Sequence, residues 1–212
     1  MPSRSGAALL IGLDQLVRGN LRGVWVRGRL PEGAVVWAAN HHSWWDGFLA
    51  ASVLRADGRT PALLMDAENL AQFGFLRRAG VVATSQPRAA LAALRRDAVL
   101  IVFPEGELRA AGPLGPVHSG AQWLAAHAPA TLVAVAVRVV ARGHQWPEAY
   151  VDIADVATGE TLADVLAGLL GGLDAELLAA DPRIPLPDFD LVVPGRHSWD
   201  ERITRVAGLI RR

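Results

Sequence analysis

The residue types best suited to acid–base chemistry cluster in one short segment, residues 40–46, which reads Asn-His-His-Ser-Trp-Trp-Asp. His41 and Asp46 are five positions apart, so they do not share a helix face, but a chain reversal at Ser43 would bring imidazole and carboxylate together. A carboxylate bonded to one ring nitrogen fixes the histidine tautomer and leaves the other nitrogen free to accept a proton. Since such a pair lacks its own nucleophile, it would deprotonate a hydroxyl or a water supplied by the substrate.

Two simpler interpretations of the same segment stay open. Ser43, as a helix N-cap, and Asp46 have the spacing of a capping box, in which both side chains only satisfy free amides at the start of a helix. His41, His42 and Asp46 could also form part of a metal site. Adjacent histidines point apart and no fourth ligand lies nearby in the sequence, so we expect no metal.

A second cluster, residues 103–109, follows a strongly apolar run and reads Phe-Pro-Glu-Gly-Glu-Leu-Arg. Gly106 permits a close backbone approach, and the guanidinium of Arg109 could bind a phosphate or a carboxylate. The segment therefore predicts an anion-binding loop. The alternative is an ordinary strand exit in which Glu105 and Arg109 are solvated.

Short apolar runs alternate with helical patterns along the chain, and this alternation predicts an α/β fold. We expect a single domain with a mixed, mostly parallel central sheet flanked by helices and with an amphipathic N-terminal helix. The predicted strands are 24–26, 34–39, 62–65, 81–84, 98–103, 132–140 and, at an edge, 150–153; the predicted helices are 45–55, 67–78, 87–96, 117–127, 162–178 and 199–210. Four prolines in residues 181–194 predict a tether that wraps the domain. Both clusters follow predicted strands, where α/β sheets build their sites.

The composition excludes several kinds of chemistry. The chain of 212 residues has no Cys, and all 21 of its basic residues are Arg. It therefore has no cysteine nucleophile, no thiolate zinc site, no Schiff-base lysine and no P-loop lysine. The 21 acidic residues balance the basic ones, which argues against a nucleic-acid partner because a phosphate backbone requires a clustered basic surface. Residues 1–110, which hold both clusters, nevertheless carry 13 Arg against nine acids.

The N-terminal segment predicts an amphipathic helix that packs on its own domain or lies in a membrane interface. Its apolar face comprises Leu9, Leu10, Leu13, Leu16, Val17 and Leu21. In residues 1–30, five Arg stand against Asp14 alone, which favours contact with anionic lipid. No apolar run reaches the roughly 18 residues of a membrane-spanning helix, and no cleavage site of a secretory signal follows.

Taken together, the two clusters resemble blocks of the glycerolipid acyltransferases, typified by the 1-acylglycerol-3-phosphate acyltransferases. The first block is Asn-His-x-Ser-x-x-Asp at residues 40–46, and the third is Phe-Pro-Glu-Gly with a nearby Arg at residues 103–109. Residues 80–84 and 133–137 resemble the looser second and fourth blocks, so the resemblance covers residues 35–140, half of the chain.

The resemblance implies that His41 is a general base that takes the proton of an acceptor hydroxyl and that Asp46 orients it. The hydroxyl would then attack the thioester carbonyl of acyl-CoA or acyl carrier protein directly, without a covalent acyl-enzyme, a metal or a cofactor. Arg109 would contact an acceptor phosphate. The expected substrate-binding residues are Asn40, Ser43, Trp44, Trp45, Glu105, Gly106 and Arg109, with the two tryptophans lining an apolar pocket.

The chain departs from the family pattern in ways that leave the acceptor open. Glu107 and Leu108 stand between Glu105-Gly106 and Arg109, so an acid enters the expected phosphate seat, and residues 117–121 lack a lysine that many members have. A neutral or glycosylated lipid is therefore an alternative to lysophosphatidate. Further alternatives are a thioester hydrolase that uses the same His–Asp pair and a non-enzymatic peripheral membrane-binding domain. No Gly-x-Ser-x-Gly elbow of a serine hydrolase occurs.

We therefore expect an acyltransferase of lipid metabolism, in particular phospholipid biosynthesis, peripheral on the cytoplasmic face of a membrane. The expected partners are an acyl thioester donor, a lipid acceptor and a membrane surface, with no nucleic acid. Residues 1–22 would form the amphipathic helix and residues 23–212 the acyltransferase domain.

Overall fold

The computed structural model describes residues 4–199, 201 and 203. Its strands are β1 (Gly23–Arg27), β2 (Ala34–Ala39), β3 (Pro61–Met65), β4 (Val81–Ala83), β5 (Val99–Val102), β6 (Ala130–Val140), β7 (Glu148–Asp155) and β8 (Asp190–Pro194). Its α-helices are α1 (Arg4–Asn20), α2 (Asp46–Ala56), α3 (Ala67–Gln72), α4 (Pro87–Leu94), α5 (Gly120–His127) and α6 (Leu162–Ala179), and a 3₁₀ helix (Gly74–Ala79) follows α3.

Within the described residues, all of the strands join one sheet in the order β4-β3-β5-β2-β6-β7-β1-β8. The first five strands in this order are parallel to one another, β7 is antiparallel to β6, β1 is parallel to β7, and β8 is antiparallel to β1. The central strands β2 and β5 consist of apolar residues buried on both faces, as parallel strands covered by helices require. The predicted α/β domain with a mixed, mostly parallel sheet is confirmed.

Helices cover both faces of the sheet. On one face α1 and α2 pack over alternate strand residues such as Trp37, and α3 and the 3₁₀ helix continue this layer over β3 and β4. On the other face α4, α5 and α6 pack over the intervening residues, among them Val36 and Ala38. Successive residues leaving the end of β2 are thereby directed to opposite sides of the sheet.

Three predictions of secondary structure are corrected. The strand predicted at an edge over 150–153 is β7, which lies between β6 and β1. The proline-rich tether contains β8, which pairs with β1 and forms the edge instead. The helix predicted over 67–78 is divided into α3, which ends before Gly74, and the 3₁₀ helix that follows it. The 3₁₀ helix ends at Gly80, whose φ of +91° is left-handed. The helix predicted over 199–210 lies largely outside the described residues.

The N-terminal helix α1 packs on the domain. Val17 and Leu21 are buried in the same cluster as the apolar residues of α2, and α1 also lies against the 3₁₀ helix. None of the described helices combines the length and the hydrophobicity that crossing a bilayer requires.

Candidate active site

The two clusters predicted from the sequence meet at one edge of the sheet. Strands β2 and β5 are parallel neighbours, so the segments that follow them leave the sheet on the same side. The backbone N–H of Arg109 donates to the carbonyl of His41 at 2.8 Å and ties the second loop to the first.

The side chains of His41 and Asp46 form a hydrogen-bonded pair. Nδ1 of His41 lies 3.0 Å from Oδ2 of Asp46, the first residue of α2, whose side chain is only 1 % exposed. Because an ionised carboxylate only accepts, Nδ1 carries the ring proton and Nε2 keeps its lone pair. The imidazole ring stacks on the ring of Phe103, with centroids 4.2 Å apart and planes 15° from parallel. The side chain of His41 is 24 % exposed. This arrangement presents an oriented proton acceptor at the surface of the site.

The carboxylate of Asp46 also serves the backbone. Its Oδ2 accepts the N–H groups of His42 and Ser43, each at 2.9 Å, so the turn that carries His41 is held by the same oxygen that orients the ring. The same carboxylate thus forms the pair with His41 and one of the two contacts of the predicted capping box, the bond to the N–H of Ser43. Ser43 is not the N-cap of α2, which is Trp45; its Oγ accepts the N–H of Trp45 at 3.2 Å within the turn.

Glu105 is a buried brace between the two loops. Its Oε2 accepts the backbone N–H of His41 at 2.8 Å, and its Oε1 accepts the N–H of Gly115 at 2.9 Å. The residue is 2 % exposed. Both carboxylate oxygens are therefore engaged inside the protein, and contact of Glu105 with substrate stays a prediction.

His42 points away from His41 and joins a second polar network. Its Nδ1 accepts from Nη1 of Arg138 at 2.6 Å, which leaves Nε2 to donate to Oε1 of Glu105 at 3.2 Å. The guanidinium of Arg138 also donates to both carboxylate oxygens of Asp174 on α6, at 2.6 and 2.7 Å. The side chains of His42 and Arg138 are 3 % and 6 % exposed, so this network fixes Glu105 from the opposite face of the sheet.

The sequence interpretation missed the roles of Arg138 and Asp174. Arg138 is the single charged residue within the apolar strand β6, and such an arginine requires a partner when the strand is buried. That signal identifies a buried ion pair but not its partners.

Asn40 joins β2 to β6 and does not face the site. Its Nδ2 donates to the carbonyl of Val137 at 3.1 Å, and its Oδ1 accepts the N–H of Val137 at 2.7 Å. The residue is fully buried. The amide of Asn40 is therefore used within the sheet, and contact of Asn40 with substrate stays a prediction without support from its position.

Arg109 and Glu107 form an ion pair in the second loop. Nη2 of Arg109 lies 2.6 Å from Oε1 of Glu107, and Nε lies 3.8 Å from Oε1 of Glu105. Gly106 has a φ of +76°, and a Cβ at Gly115 would lie 2.7 Å from Nε of Arg109, so glycines make room for the loop and its arginine. The side chains of Glu107 and Arg109 are 65 % and 35 % exposed, and both can contact a ligand.

Aromatic side chains flank the turn that carries His41. Trp44 is 60 % exposed and contacts Trp45 and Phe48, with ring centroids 5.2 and 4.5 Å apart. Trp45 and Phe48 are half-buried against the core. An apolar surface of this kind suits a lipid-like ligand.

The described residues contain no group of three or more His, Asp or Glu side chains placed to hold a metal ion. His41 and His42, the adjacent histidines considered as ligands, are directed to different partners, Asp46 and Arg138.

Comparison with known proteins places this site within a family. The family model "Acyltransferase" matches residues 23–138, more than half of the chain and inclusive of both loops. The crystal structure of the 1-acyl-sn-glycerophosphate (LPA) acyltransferase PlsC from Thermotoga maritima is similar in fold, with a TM-score of 0.59 and 18 % sequence identity over 85 % of each chain. No curated protein sequence matches the chain. On the match to the family model, the chain belongs to the acyltransferase family.

Proposed function

We propose that this protein transfers a fatty acyl group from an acyl thioester to a hydroxyl of a lipid-like acceptor. The observation that carries the proposal is the His41–Asp46 pair, in which Nδ1 is bonded to a carboxylate at 3.0 Å and Nε2 retains its lone pair. The exposed ring of Trp44 and the half-buried ring of Phe48 beside this pair offer an apolar surface for acyl chains.

In the proposed reaction, Nε2 of His41 takes the proton of the acceptor hydroxyl as the oxygen attacks the thioester carbonyl. The tetrahedral intermediate then expels the thiolate, which recovers the proton from the imidazolium. Asp46 stabilises this imidazolium and keeps the ring in one orientation. It is thus the group that orients the general base. The acyl group passes directly to the acceptor, and neither a covalent acyl-enzyme nor a cofactor takes part.

Lysophosphatidate is the first candidate acceptor. Arg109 belongs to the loop that matches the acceptor block, is partly exposed, and is held beside His41 by its backbone hydrogen bond. A guanidinium in this position suits a phosphate. The acceptor named for the similar PlsC structure supports the same class of substrate.

The Arg109–Glu107 ion pair favours a second candidate, an acceptor with a neutral or sugar-like headgroup. Glu107 already neutralises Arg109 at 2.6 Å, and an added phosphate would have to displace or repel this carboxylate. A hydroxyl-rich headgroup would instead donate to Glu107.

We further propose that residues 23–212 form the acyltransferase domain, that residues 1–22 contribute to membrane contact, and that the protein acts at the cytoplasmic face of a membrane in phospholipid biosynthesis. Acyl-CoA and acyl carrier protein are both candidate donors, since both present an acyl thioester.

An acyl-transfer assay read by mass spectrometry tests the proposal. Purified protein is given acyl-CoA or acyl carrier protein with a panel of phosphorylated and neutral lysolipids and glycolipids. We expect a new ester with at least one acceptor and none with His41→Ala. Release of free fatty acid at the same rate with and without acceptors would instead indicate a thioester hydrolase.

A further inference from the structure

Arg138 links helix α6 to both loops of the candidate active site. Its side chain is 6 % exposed, and its guanidinium donates to groups on other segments of the chain. Nη1 donates to Nδ1 of His42 at 2.6 Å, and Nη2 donates to the carbonyl of Gly112 at 2.7 Å. Nε and Nη2 donate to the carboxylate of Asp174 on α6, at 2.6 and 2.7 Å. A displacement of Arg138 would therefore reach both loops.

The contact of Arg138 with His42 leads to the base. Nε2 of His42 donates to Oε1 of Glu105 at 3.2 Å, and Oε2 of Glu105 accepts the backbone N–H of His41 at 2.8 Å. The side chains of His42 and Glu105 are 3 % and 0 % exposed, so neither can move without displacing its bonded neighbour. The placement of the His41 backbone therefore depends on where Arg138 is held.

The contact of Arg138 with Gly112 leads to the loop that carries Arg109. Gly112 lies three residues after Arg109, and the N–H of Gly115 in the same loop donates to Oε1 of Glu105 at 2.9 Å. The loop is thus tied to Arg138 at one point and to Glu105 at another. This loop presents the ion pair between Arg109 and Glu107, the expected contact of an acceptor headgroup. The placement of that pair therefore depends on Arg138 as well.

Asp174 is the group that fixes Arg138. An arginine within a buried apolar strand is costly unless a carboxylate neutralises it. Asp174 supplies that carboxylate in a bidentate pair, a geometry that sets both the position and the plane of a guanidinium. The other acceptors of Arg138, the ring nitrogen of His42 and the carbonyl of Gly112, are neutral and do not replace this charge.

We propose that Asp174 is a positioning residue for acyl transfer, acting through Arg138 on both His41 and the acceptor loop, residues 103–115. The proposal rests on the proposed function for its reaction and deepens it by adding α6 to the machinery. Asp174 lies on the helix layer of the opposite face of the sheet from α2 and contacts no substrate. Its effect reaches the site through Arg138 and the groups bonded to it.

Steady-state kinetics of Asp174→Asn test the proposal. Asparagine retains the size and one acceptor but loses the charge and the bidentate geometry. We expect kcat to fall and KM for the acceptor to rise, so that kcat/KM falls about tenfold to a hundredfold, as a displacement of about 1 Å can cause. Asp174→Glu restores a carboxylate and should recover most of the loss. A kcat/KM of Asp174→Asn within about twofold of the unaltered chain would overturn the proposal.

Glu176→Gln is the matched control. Glu176 lies two residues beyond Asp174 on α6, has a comparable exposure of 37 % against 44 %, and forms an ion pair with Arg27 at 2.9 Å. Arg27 lies in β1 and is also paired with Asp152 of β7, so this pair does not touch either loop. We expect the kinetics of Glu176→Gln to match those of the unaltered chain. Equal losses in Glu176→Gln and Asp174→Asn would show that breaking any ion pair of α6 is enough, and would overturn the positioning role.

The space beside Asp174 allows a test by chemical rescue. The side chain is partly exposed and borders a cavity of about 290 Å³ between α6 and loop residues 112–114. In Asp174→Ala, added formate can enter at this position and pair with Arg138 as the missing carboxylate. We expect formate to raise kcat/KM of Asp174→Ala several-fold relative to the same concentration of chloride. An equal gain in Glu176→Ala would be a general effect of the anion and would count against the pairing.

Amide hydrogen exchange, read by mass spectrometry, tests the positioning without catalysis. The informative amides are those of His41 and Gly115, which donate to Glu105. Asp174→Asn should raise their exchange about tenfold, whereas Glu176→Gln should leave it unchanged. Faster exchange in a protein that transfers no acyl group would support the network and count against the proposed function. Acyl transfer by the unaltered chain, with the same exchange in Asp174→Asn, would overturn the positioning role alone.

Discussion

Oδ2 of Asp46 accepts a hydrogen bond from the ring nitrogen Nδ1 of His41 at 3.0 Å. The same oxygen also accepts hydrogen bonds from the backbone N–H groups of the two residues that follow His41. One buried oxygen thus sets both the orientation of the imidazole and the course of the chain that carries it. A change at Asp46 therefore affects the turn as well as the imidazole of His41, whereas a change at His41 affects the imidazole alone.

We expect His41→Ala to lower the rate of acyl transfer by about 10²- to 10⁴-fold, the range for loss of a general base, without unfolding the protein. Asp46→Asn should lower the rate as well and should also lower the free energy of unfolding, because its oxygen holds the turn. Rates with a saturating acceptor and circular dichroism melting curves separate the two effects.

The matched control for His41 is His127→Ala, which removes an exposed histidine at the end of α5 on the other face of the sheet. It should leave the rate unchanged. A His41→Ala protein with a rate within about tenfold of the unaltered chain would remove His41 from the role of base.

Glu107 is predicted to restrain the affinity of the site for phosphate. Glu107→Gln removes the partner of Arg109, so kcat/KM for a phosphate-bearing acceptor should rise by about two- to tenfold, while kcat/KM for a neutral acceptor should not rise. Steady-state kinetics with one acceptor of each kind provide the comparison.

Glu32→Gln is the control for that change in charge, because Glu32 is exposed before β2, at the opposite edge of the sheet from the site. If Glu107→Gln and Glu32→Gln have the same effect, Glu107 does not act through Arg109. A rise with the neutral acceptor alone would contradict the prediction directly.

His42 is predicted to act as a positioning residue. His42→Leu leaves Nη1 of Arg138 without a partner, which costs about 1 to 3 kcal/mol for this buried group. It also removes one of the two donors to Oε1 of Glu105, which keeps the N–H of Gly115, and so loosens the backbone at His41. His42→Gln can accept from Arg138 with its carbonyl and donate to Glu105 with its amide. We therefore expect kcat to fall in His42→Leu, with KM little changed, and to recover largely in His42→Gln.

The recovery in His42→Gln distinguishes hydrogen bonding from packing. Leucine and glutamine both retain aliphatic volume, but only glutamine restores the donor and the acceptor. Equal kcat values for the two variants would assign His42 a packing role.

The sequence was sufficient to predict the sheet, both loops and the proximity of His41 to Asp46, because each of these depends on local patterns. An apolar run followed by polar residues marks the end of a buried strand, and the four residues between His41 and Asp46 allow one turn. What the local pattern does not contain is the partner of each polar side chain. His42 and Arg138 are 96 positions apart, and only the pairing of β2 with β6 brings them together.

Other features that the local sequence does not contain have the same origin. The resemblance to the family's acceptor block suggests Glu105 as a substrate ligand, but the local sequence does not contain the long-range hydrogen bonds that bury Glu105 and Asn40. The four prolines of residues 181–194 predict no strand, yet β8 lies within them and pairs with β1, so β7 is not the edge of the sheet. Pairing across the sheet therefore decides which polar residues remain available to a substrate.

The titration of Tyr150 is predicted to lower the free energy of unfolding at alkaline pH. Its hydroxyl donates to Oε2 of Glu148 at 2.6 Å, and burial together with this carboxylate raises the pKa of Tyr150 to about 12. The sequence contains this single Tyr, no Cys and no Lys, so no other kind of side chain titrates between its ordinary pKa and the raised one. The stabilisation is complete below the unfolded pKa of about 10 and is lost as the pH rises towards 12.

Urea unfolding across this pH range should therefore show a loss of about 2 to 3 kcal/mol in the free energy of unfolding. Tyrosinate absorbance should appear together with unfolding. Tyr150→Phe lacks the titrating group, so its free energy of unfolding should be nearly constant over the same range, although lower at neutral pH because the carboxylate of Glu148 loses a donor. An equal alkaline loss in Tyr150→Phe would show that another group limits stability at high pH.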